Sequence, residues 1–220
     1  QFGYTSAGRY TSWNDIWSYP GYKERDILPG DYKYEDWNGD GEINGQDEHP
    51  FAFDQTPWLQ FSLNAGLQWK NLDFNMLLQG SALGSMEYKE PLHEIWGKNG
   101  GGALKQFLDR WHPVDPKADP YDPSTVWTSG HYAYTGRWAK NNSAFNRVST
   151  AYLRLKSIEL GYTFPKLKQI PNASLRIYAN AYNLLTFTGV KFVDPEHPDD
   201  DLGRMYPLNK TYTLGVSLSF

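Results

Sequence analysis

The segment from Asp36 to Asp47 has the residue types and the spacing of a calcium-binding loop. Side-chain oxygens stand at its positions 1, 3 and 5, on Asp36, Asn38 and Asp40. Gly41 at position 6 allows the sharp turn that brings these oxygens to one side of an ion, and Asp47 adds a carboxylate at position 12. Because every ligand is an oxygen, the pattern favours Ca²⁺.

The backbone carbonyl of Glu42, at position 7, would complete this ligand set. Asp47 replaces the bidentate Glu of most such loops, so a weaker site or the smaller ion Mg²⁺ is the alternative. Residues 14–54 carry eleven Asp and Glu against three Lys and Arg, which agrees with a cation as ligand. The segment lacks flanking amphipathic helices, so the ion would be structural. The competing interpretation is a set of Asn-Gly and Asp-Gly turns with solvated carboxylates.

Residue patterns typical of other functions are missing from the sequence. The five His residues form no metal-ligand spacing, and no phosphate-binding glycine motif or distinct carboxylate pair occurs, so we expect no enzyme activity. A net charge of −4, from 21 Lys and Arg against 25 Asp and Glu, predicts no nucleic-acid partner. The chain has no Cys, which excludes disulfides and thiolate metal sites.

The elements that would position the loop are β-strands, because apolar and polar residues alternate with a period of two. The predicted strands are residues 58–69, 72–82, 150–164, 174–185 and 211–220. In the third strand the alternation changes phase, and a β-bulge near Ser157 would explain the change. In residues 103–111, the spacing of Leu104, Phe107, Leu108 and Trp111 predicts a short amphipathic helix.

Short and long connections alternate strictly along the five strands. Two residues, Lys70 and Asn71, separate the first two strands, and residues 165–173 separate the third from the fourth, whereas the connections 83–149 and 186–210 are long. This rule is typical of transmembrane β-barrels, which have short periplasmic turns and long outer loops. The mean hydropathy of −0.66 does not oppose this, because only every second strand residue faces lipid. A soluble β-sandwich with uneven loops is the alternative.

If the last strand ends at Phe220 on the periplasmic side, counting the strands back from it predicts the side of the membrane on which each connection lies. Residues 1–57, with the calcium-type loop 36–47, and the loops 83–149 and 186–210 would be extracellular, and both short turns would be periplasmic. The predicted fold is therefore all-β, the C-terminal antiparallel strands of a large transmembrane barrel with long extracellular loops. Five strands cannot close such a barrel, and open edges in lipid would leave unpaired backbone groups, so the chain should be a piece of a larger protein.

Several motifs together resemble the C-terminal end of the SusC/RagA family of TonB-dependent outer-membrane transporters of Bacteroidetes. They follow one another in family order over nearly the whole chain, and Phe220 is the terminal aromatic residue. The matching stretches are PGDYKYEDWNGDGEINGQDE (29–48), RW-x-P-x-x-P (110–116), AYLRLKSIELGYTFP (151–165), LRIYANAYNLLTFTG (175–189), DPE (194–196) and YPLNKTYTLGVSLSF (206–220).

This resemblance implies a barrel of about 22 strands with a plug domain in its lumen. It further implies import of oligosaccharides, or of peptides in some members, in the bacterial outer membrane. The implied partners are the N-terminal barrel and plug of the same transporter, TonB acting through that part, a SusD-like surface lipoprotein and outer-membrane lipid. The polar strand residues Gln60, Asn64, Asp73, Asn75, Arg176 and Asn180 would then line the lumen.

An alternative function from a different class is a soluble or surface glycan-binding or adhesion module with a calcium-stabilised loop. The loop 83–149 contains several Trp and Tyr residues, and aromatic rings stack on sugars. Their frequency is close to the chain average, so composition alone gives this interpretation little support. Partition of the protein between detergent-solubilised outer membranes and the aqueous phase separates the two functions.

Overall fold

The computed structural model describes residues 1–21, 26–89, 92–93, 95, 103–134, 140, 142–165, 173–197 and 202–220. The chain divides into two compact units. One, here called the loop unit, consists mainly of residues 1–54 and 85–148, and the other, the sheet unit, mainly of residues 55–84, 149–197 and 205–220. The two units are described separately below.

The described part of the chain contains thirteen strands, most of them short. They are β1 Phe2–Gly3, β2 Ser6–Arg9, β3 Tyr32–Tyr34, β4 His49–Pro50, β5 Leu59–Trp69, β6 Leu72–Ala82, β7 Ser85–Glu87, β8 His112–Pro113, β9 Trp127–Thr128, β10 Arg147–Ser149, β11 Tyr152–Phe164, β12 Ser174–Thr188 and β13 Thr211–Ser219. Helical elements described in full are α1 (Trp13–Ser18) and the short 3-10 turns Gly45–Asp47 and Lys105–Leu108.

The five longest strands form one antiparallel sheet in the order β13-β12-β11-β6-β5. Strands β5 and β6 form a hairpin, and its turn residue Lys70 has a positive φ of 55°. β11 and β12 differ most from the predicted bounds, because β11 starts at Tyr152 and not at residue 150, and β12 continues to Thr188 and not to residue 185. The all-β, antiparallel fold class predicted from the sequence is confirmed.

The bulge predicted in β11 is also confirmed. Leu155 pairs with Leu78 of β6, but Ser157, two residues later, pairs with the adjacent Leu77. Because β11 has one extra residue at this point, even-numbered side chains after the bulge lie on the face that odd-numbered side chains occupy before it. This reversal keeps Leu153 and Leu155 on the same side of the sheet as Leu160, although their positions differ in parity.

The loop unit is built from short two-stranded pairs, β1 with β4, β2 with β3, β7 with β10 and β8 with β9. Its core is a cluster of buried side chains against which the Phe145 ring packs. The members are Tyr4, Tyr32, Tyr34, Ile43 and Ala133. The Phe145 ring lies 4.4 Å from the Tyr32 ring and 5.6 Å from the Tyr34 ring, so aromatic contacts stabilise much of this unit.

The helix predicted for residues 103–111 is wrong in length and type. Only the 3-10 turn Lys105–Leu108 forms there, and of the four apolar residues that suggested a helix only Phe107 is buried. Leu108 is 74% exposed, because a 3-10 turn does not bring residues 104, 107, 108 and 111 onto one face. Among the described residues, no helix is both long enough and apolar enough to cross a membrane.

Candidate functional site: a two-faced sheet and an acidic loop

One face of the five-stranded sheet is apolar from edge to edge. Residues in register on neighbouring strands share a face, so each register row shows what one face presents. Four successive rows of this apolar face are Leu63, Leu78, Leu155 and Leu185; Ala65, Met76, Ile158, Ala181 and Tyr212; Leu67, Phe74, Leu160, Ala179 and Leu214; and Trp69, Leu72, Tyr162, Ile177 and Val216. Many of these side chains are solvent-exposed, with Leu214 at 84% and Leu67 at 65%.

An exposed apolar surface of this extent is far larger than the patches that soluble monomers tolerate. Aromatic side chains mark the end of the sheet at which the β5–β6 turn lies, and they are Trp69, Tyr162 and Phe164. The centroids of the Tyr162 and Phe164 rings lie 4.8 Å apart. The apolar face with an aromatic border can therefore lie against the hydrocarbon and the interface of a bilayer.

The opposite face is polar and carries its own ion-pair network. Two register rows near the β5–β6 turn are Gln68, Asp73, Gly161, Tyr178 and Gly215; and Gly66, Asn75, Glu159, Asn180 and Thr213. The Arg176 guanidinium on β12 reaches across β11 and pairs with Asp73 on β6 and, at 2.7 Å, with Glu159 on β11. Gly161 permits this contact, because a Cβ atom there would lie 2.6 Å from the Asp73 carboxylate oxygens.

A second ionic cluster lies toward the other end of the polar face. It is next to Gln79 of β6, which is six residues, or roughly 20 Å, from Asp73. Its centre is the side chain of Arg154, which is 2% exposed. The guanidinium donates to both carboxylate oxygens of Asp194 at 2.8 and 2.7 Å and also pairs with Glu196. Lys156 contacts both Glu196 oxygens at 3.0 Å. The alternation pattern did not predict this cluster, and the only sequence signal was the DPE motif at 194–196.

In the acidic loop, the predicted ligands Asp36, Asn38 and Asp40 accept hydrogen bonds from the loop's own backbone. The Asp36 carboxylate accepts from the amides of Gly39 at 2.8 Å, Asp40 at 3.2 Å and Gly41 at 2.9 Å. The Asn38 side-chain oxygen accepts from the Asp40 amide at 2.9 Å, and its Nδ2 donates to Asp40 Oδ2 at 2.9 Å. Gly41 has a φ of 85°, which favours glycine at the turn position.

Asp47 caps the backbone at the other end of the loop. Its side chain is fully buried, and its two oxygens accept from the amides of Trp37 at 2.9 Å and Asn44 at 2.8 Å. Ile43, also buried, belongs to the aromatic core, so the loop is attached to the body of its unit. The Trp37 ring stacks on the His49 ring with 3.8 Å between centroids.

For a cation, these contacts mean that the donor oxygens are present but already partly engaged. Among the described residues, no group of three or more His, Cys, Asp or Glu side chains has an arrangement that would hold a metal ion. The predicted ligand set is broader, because it also includes the Asn38 side-chain oxygen and the Glu42 carbonyl. The calcium site therefore stays a prediction.

Burial shifts the pKa of two groups in the loop unit. The Asp31 carboxyl is held inside a turn, where it accepts from the Leu28 amide at 2.9 Å, and its burial raises its pKa to about 6. Burial also lowers the pKa of the His93 imidazole to about 4. His93 is therefore neutral at physiological pH, which agrees with a structural role.

The comparisons with known proteins relate the chain to membrane transporters, although no family model matches it. It is 28% identical to TonB-dependent receptor P3 of Formosa agariphila over 211 residues and 28% identical to TonB-dependent receptor P26 of the same organism over 206 residues. These alignments cover 89% and 87% of the chain. The chain spans only 19% and 20% of the two receptors' own lengths.

Solved structures of the RagAB peptide importer share the fold. A chain of the open-open state is similar with a TM-score of 0.63 and 19% identity, covering all of this chain and 22% of the other. A chain of the closed-closed state gives a TM-score of 0.60 and 21% identity over 86% of this chain and 20% of the other. These likenesses confirm the predicted resemblance to a fragment of a SusC/RagA-like TonB-dependent transporter. Receptors and importers of this kind are not enzymes, as expected from the sequence.

Proposed function

We propose that this chain, a fragment of a SusC/RagA-like TonB-dependent transporter, forms part of the barrel wall of an outer-membrane nutrient importer. The observation that carries the proposal is the separation of apolar and polar register rows onto opposite faces of all five strands. The apolar face contacts outer-membrane lipid, and the polar face lines the lumen, where it meets the plug or the imported molecule.

The orientation follows from the connections between strands. The β5–β6 turn, the last residue of β11 (Phe164) and the first residue of β12 (Ser174) lie at one end of the sheet, which we assign to the periplasm. The connections of residues 83–149 and 186–210, together with residues 1–57, then lie outside the cell. Trp69, Tyr162 and Phe164 would mark the periplasmic interface of the membrane.

Both outer strands of the sheet require further strands as neighbours. Within the described residues, β5 and β13 each pair with one strand only. An unpaired strand edge in lipid leaves amide and carbonyl groups without hydrogen bonds, which costs several kcal/mol for each group. We therefore propose that strands from the remaining N-terminal barrel complete the wall on both sides and that the plug of the same transporter occupies the lumen. TonB would act through that N-terminal part.

The imported molecule is a peptide or an oligosaccharide. The likeness to the RagAB peptide importer supports a peptide, and the family resemblance includes both classes. A SusD-like surface lipoprotein is the proposed partner at the extracellular side. Growth of a strain that lacks the whole transporter, complemented with the intact gene and supplied with either nutrient class as sole source, separates the two substrates.

The alternative of a soluble glycan-binding module is disfavoured by the apolar face. A soluble sandwich would bury Leu67 and Leu214 against a second sheet, but both side chains are exposed. Membrane fractionation tests the proposal directly. The whole protein should be recovered from outer membranes only with detergent, and its recovery in the aqueous phase without detergent would contradict the proposal.

We further propose that the loop 36–47 binds a structural Ca²⁺, and Mg²⁺ is the second candidate ion. Its ligands would be the side chains of Asp36, Asn38, Asp40 and Asp47 and the carbonyl of Glu42, which would require a change in the present backbone contacts of Asp47. The acidic surroundings and the glycine turn at Gly41 support the proposal. The ion would stiffen an extracellular segment and take no part in transport chemistry.

Trp37 gives a direct assay for this site, because its amide contacts Asp47 and its ring lies in the loop. Terbium, which occupies calcium sites, should luminesce on Trp excitation, and Ca²⁺ should displace it more effectively than Mg²⁺. Asp36→Asn should abolish the signal, while Asp122→Asn, in another exposed turn, should leave it unchanged. Unchanged luminescence in Asp36→Asn would contradict metal binding by this loop and leave the turn interpretation.

A further inference from the structure

The connection that follows β12 returns onto the polar face of the sheet. Residues 190–197, here called the strap, place the Asp194 and Glu196 side chains against Arg154 and Lys156 of β11 and Gln79 of β6. Besides the ion pairs, Glu196 Oε1 accepts hydrogen bonds from Gln79 Nε2 and from the Tyr152 hydroxyl, both at 3.1 Å. The strap thus contacts two neighbouring strands, β6 and β11, through side chains of the polar face.

The charges of this contact balance, and the Arg154 charge at its centre is buried. Two cationic groups, Arg154 and Lys156, face two carboxylates, Asp194 and Glu196, whose side chains are only 12% and 15% exposed. Arg154 is held from the sheet side as well, because its Nε donates to Thr186 Oγ1 at 2.9 Å. Removal of one partner would leave a buried charge unpaired, so the cluster favours a single arrangement of the strap.

The backbone of the strap is strained between two anchors. The Val193 amide donates to the Lys191 carbonyl at 2.6 Å, which closes a tight turn centred on Phe192 with a φ of 65°. A bulky residue rarely adopts this conformation, and such strain persists only where flanking contacts impose it. On one side Val190 is buried and its amide donates to Thr188 Oγ1 at 3.1 Å, and on the other side stands the ionic cluster.

We propose that the strap is a fixed constriction element on the lumen side of the wall and that Arg154 is its positioning residue. This inference rests on the proposed function, which makes the polar face the lining of the passage. The strap lies at the extracellular end of that face, so the imported molecule must pass it. The half-exposed Phe192 is the apolar side chain that the strap carries at its turn. Disruption of the cluster releases the strap from the wall and lets the turn at Phe192 relax.

The experiment uses the whole transporter in detergent micelles, with one spin label attached to a cysteine at Lys191→Cys. This chain contains no native Cys, and any elsewhere in the transporter are replaced beforehand. The electron paramagnetic resonance spectrum should show an immobile label in the parent. Arg154→Gln, and separately the pair Asp194→Asn with Glu196→Gln, should each replace the immobile component by a mobile one. The second variant leaves the sheet residues untouched, which keeps the test valid if Arg154→Gln fails to fold.

Arg176→Gln is the matched control, because Arg176 also pairs with two carboxylates on the polar face, but both belong to the strands. It should leave the label immobile. An immobile label in the strap-side variant, or equal mobility after Arg176→Gln, would overturn the proposal. Nutrient uptake is measured separately, in cells that express the same variants, and release of the strap should change the apparent KM for uptake. If even the unlabelled parent imports neither nutrient class, the proposed function fails, whereas the spectra still decide whether the strap is fixed to the sheet.

Discussion

An arginine placed on the apolar face should destabilise the inserted protein, whereas the same residue one position away should not. Leu214 lies near the middle of β13 and is 84% exposed on the apolar face. Thr213, its neighbour, belongs to the polar face and pairs in register with Asn180, which itself donates to Glu159. Leu214→Arg therefore puts a cation into lipid, while Thr213→Arg puts it beside a carboxylate.

The expected cost for Leu214→Arg is ~2–4 kcal/mol, the range for Arg at the midplane of a transmembrane barrel. This corresponds to roughly a 30- to 800-fold loss in the equilibrium between inserted and non-inserted protein. Thr213→Arg should change the equilibrium by less than about 1 kcal/mol, because its charge stays solvated and near Glu159. Both substitutions introduce the same side chain and the same charge on the same strand, so the sign of their difference reports which of the two positions faces lipid.

The assay measures the folded fraction of the whole transporter in outer-membrane fractions, from its heat-sensitive migration on detergent gels. Leu214→Arg should lose most of the folded band, and Thr213→Arg should keep it. Equal losses for both variants, or a larger loss for Thr213→Arg, would refute the assignment of the apolar face to lipid.

Two further predictions concern a glycine of the polar face and a buried carboxyl of the loop unit. Gly161→Val should separate Asp73 from Arg176, and because both side chains are about one quarter exposed, we expect a loss of ~1–2 kcal/mol. Thermal unfolding in detergent checks this, with Gly189→Val as the control, since a Cβ there meets nothing within 4 Å; equal midpoints for both variants would contradict it. In the folded protein the pKa of Asp31 is about 6, raised from 3.8. The folded state therefore binds the proton more tightly than the unfolded state, and the stability of the loop unit should fall as the pH rises from about 4 to about 6. Asp31→Asn keeps an oxygen for the Leu28 amide and should flatten this pH dependence in urea unfolding followed by Trp fluorescence; an unchanged slope would show that Asp31 does not titrate there.

Much of the sheet could be predicted from the sequence because its signal is local. Residues 59–69 alternate without interruption, and β5 is the strand that they form. Even the phase change in residues 150–164 is readable, since a bulge is the simplest way to keep Leu155 and Leu160 on one face. The family motifs then place these strands in a larger barrel, which periodicity alone does not do.

The contacts between distant segments could not be predicted in the same way. Nothing near Arg154 in the sequence indicates that its partners lie 40 and 42 residues later, because the pairing depends on the path of the connection after β12. Similarly, residues 103–111 have helical spacing, but tertiary contacts bury Phe107 alone and leave only a 3-10 turn. In the acidic loop, the motif identifies the oxygens, yet their present hydrogen bonds depend on the fold around Asp47.

The most direct test of the barrel-wall proposal is a cysteine scan along β5 in the whole transporter in lipid vesicles. Single cysteines at residues 59–64 are labelled with an environment-sensitive fluorophore, and quenching by spin-labelled lipid is measured at each position. The proposal predicts quenching at Leu59, Phe61 and Leu63 and little at Gln60, Ser62 and Asn64, because the register places these two sets on opposite faces. Uniform quenching, or quenching confined to residues 60, 62 and 64, would contradict the assignment of the apolar face to lipid.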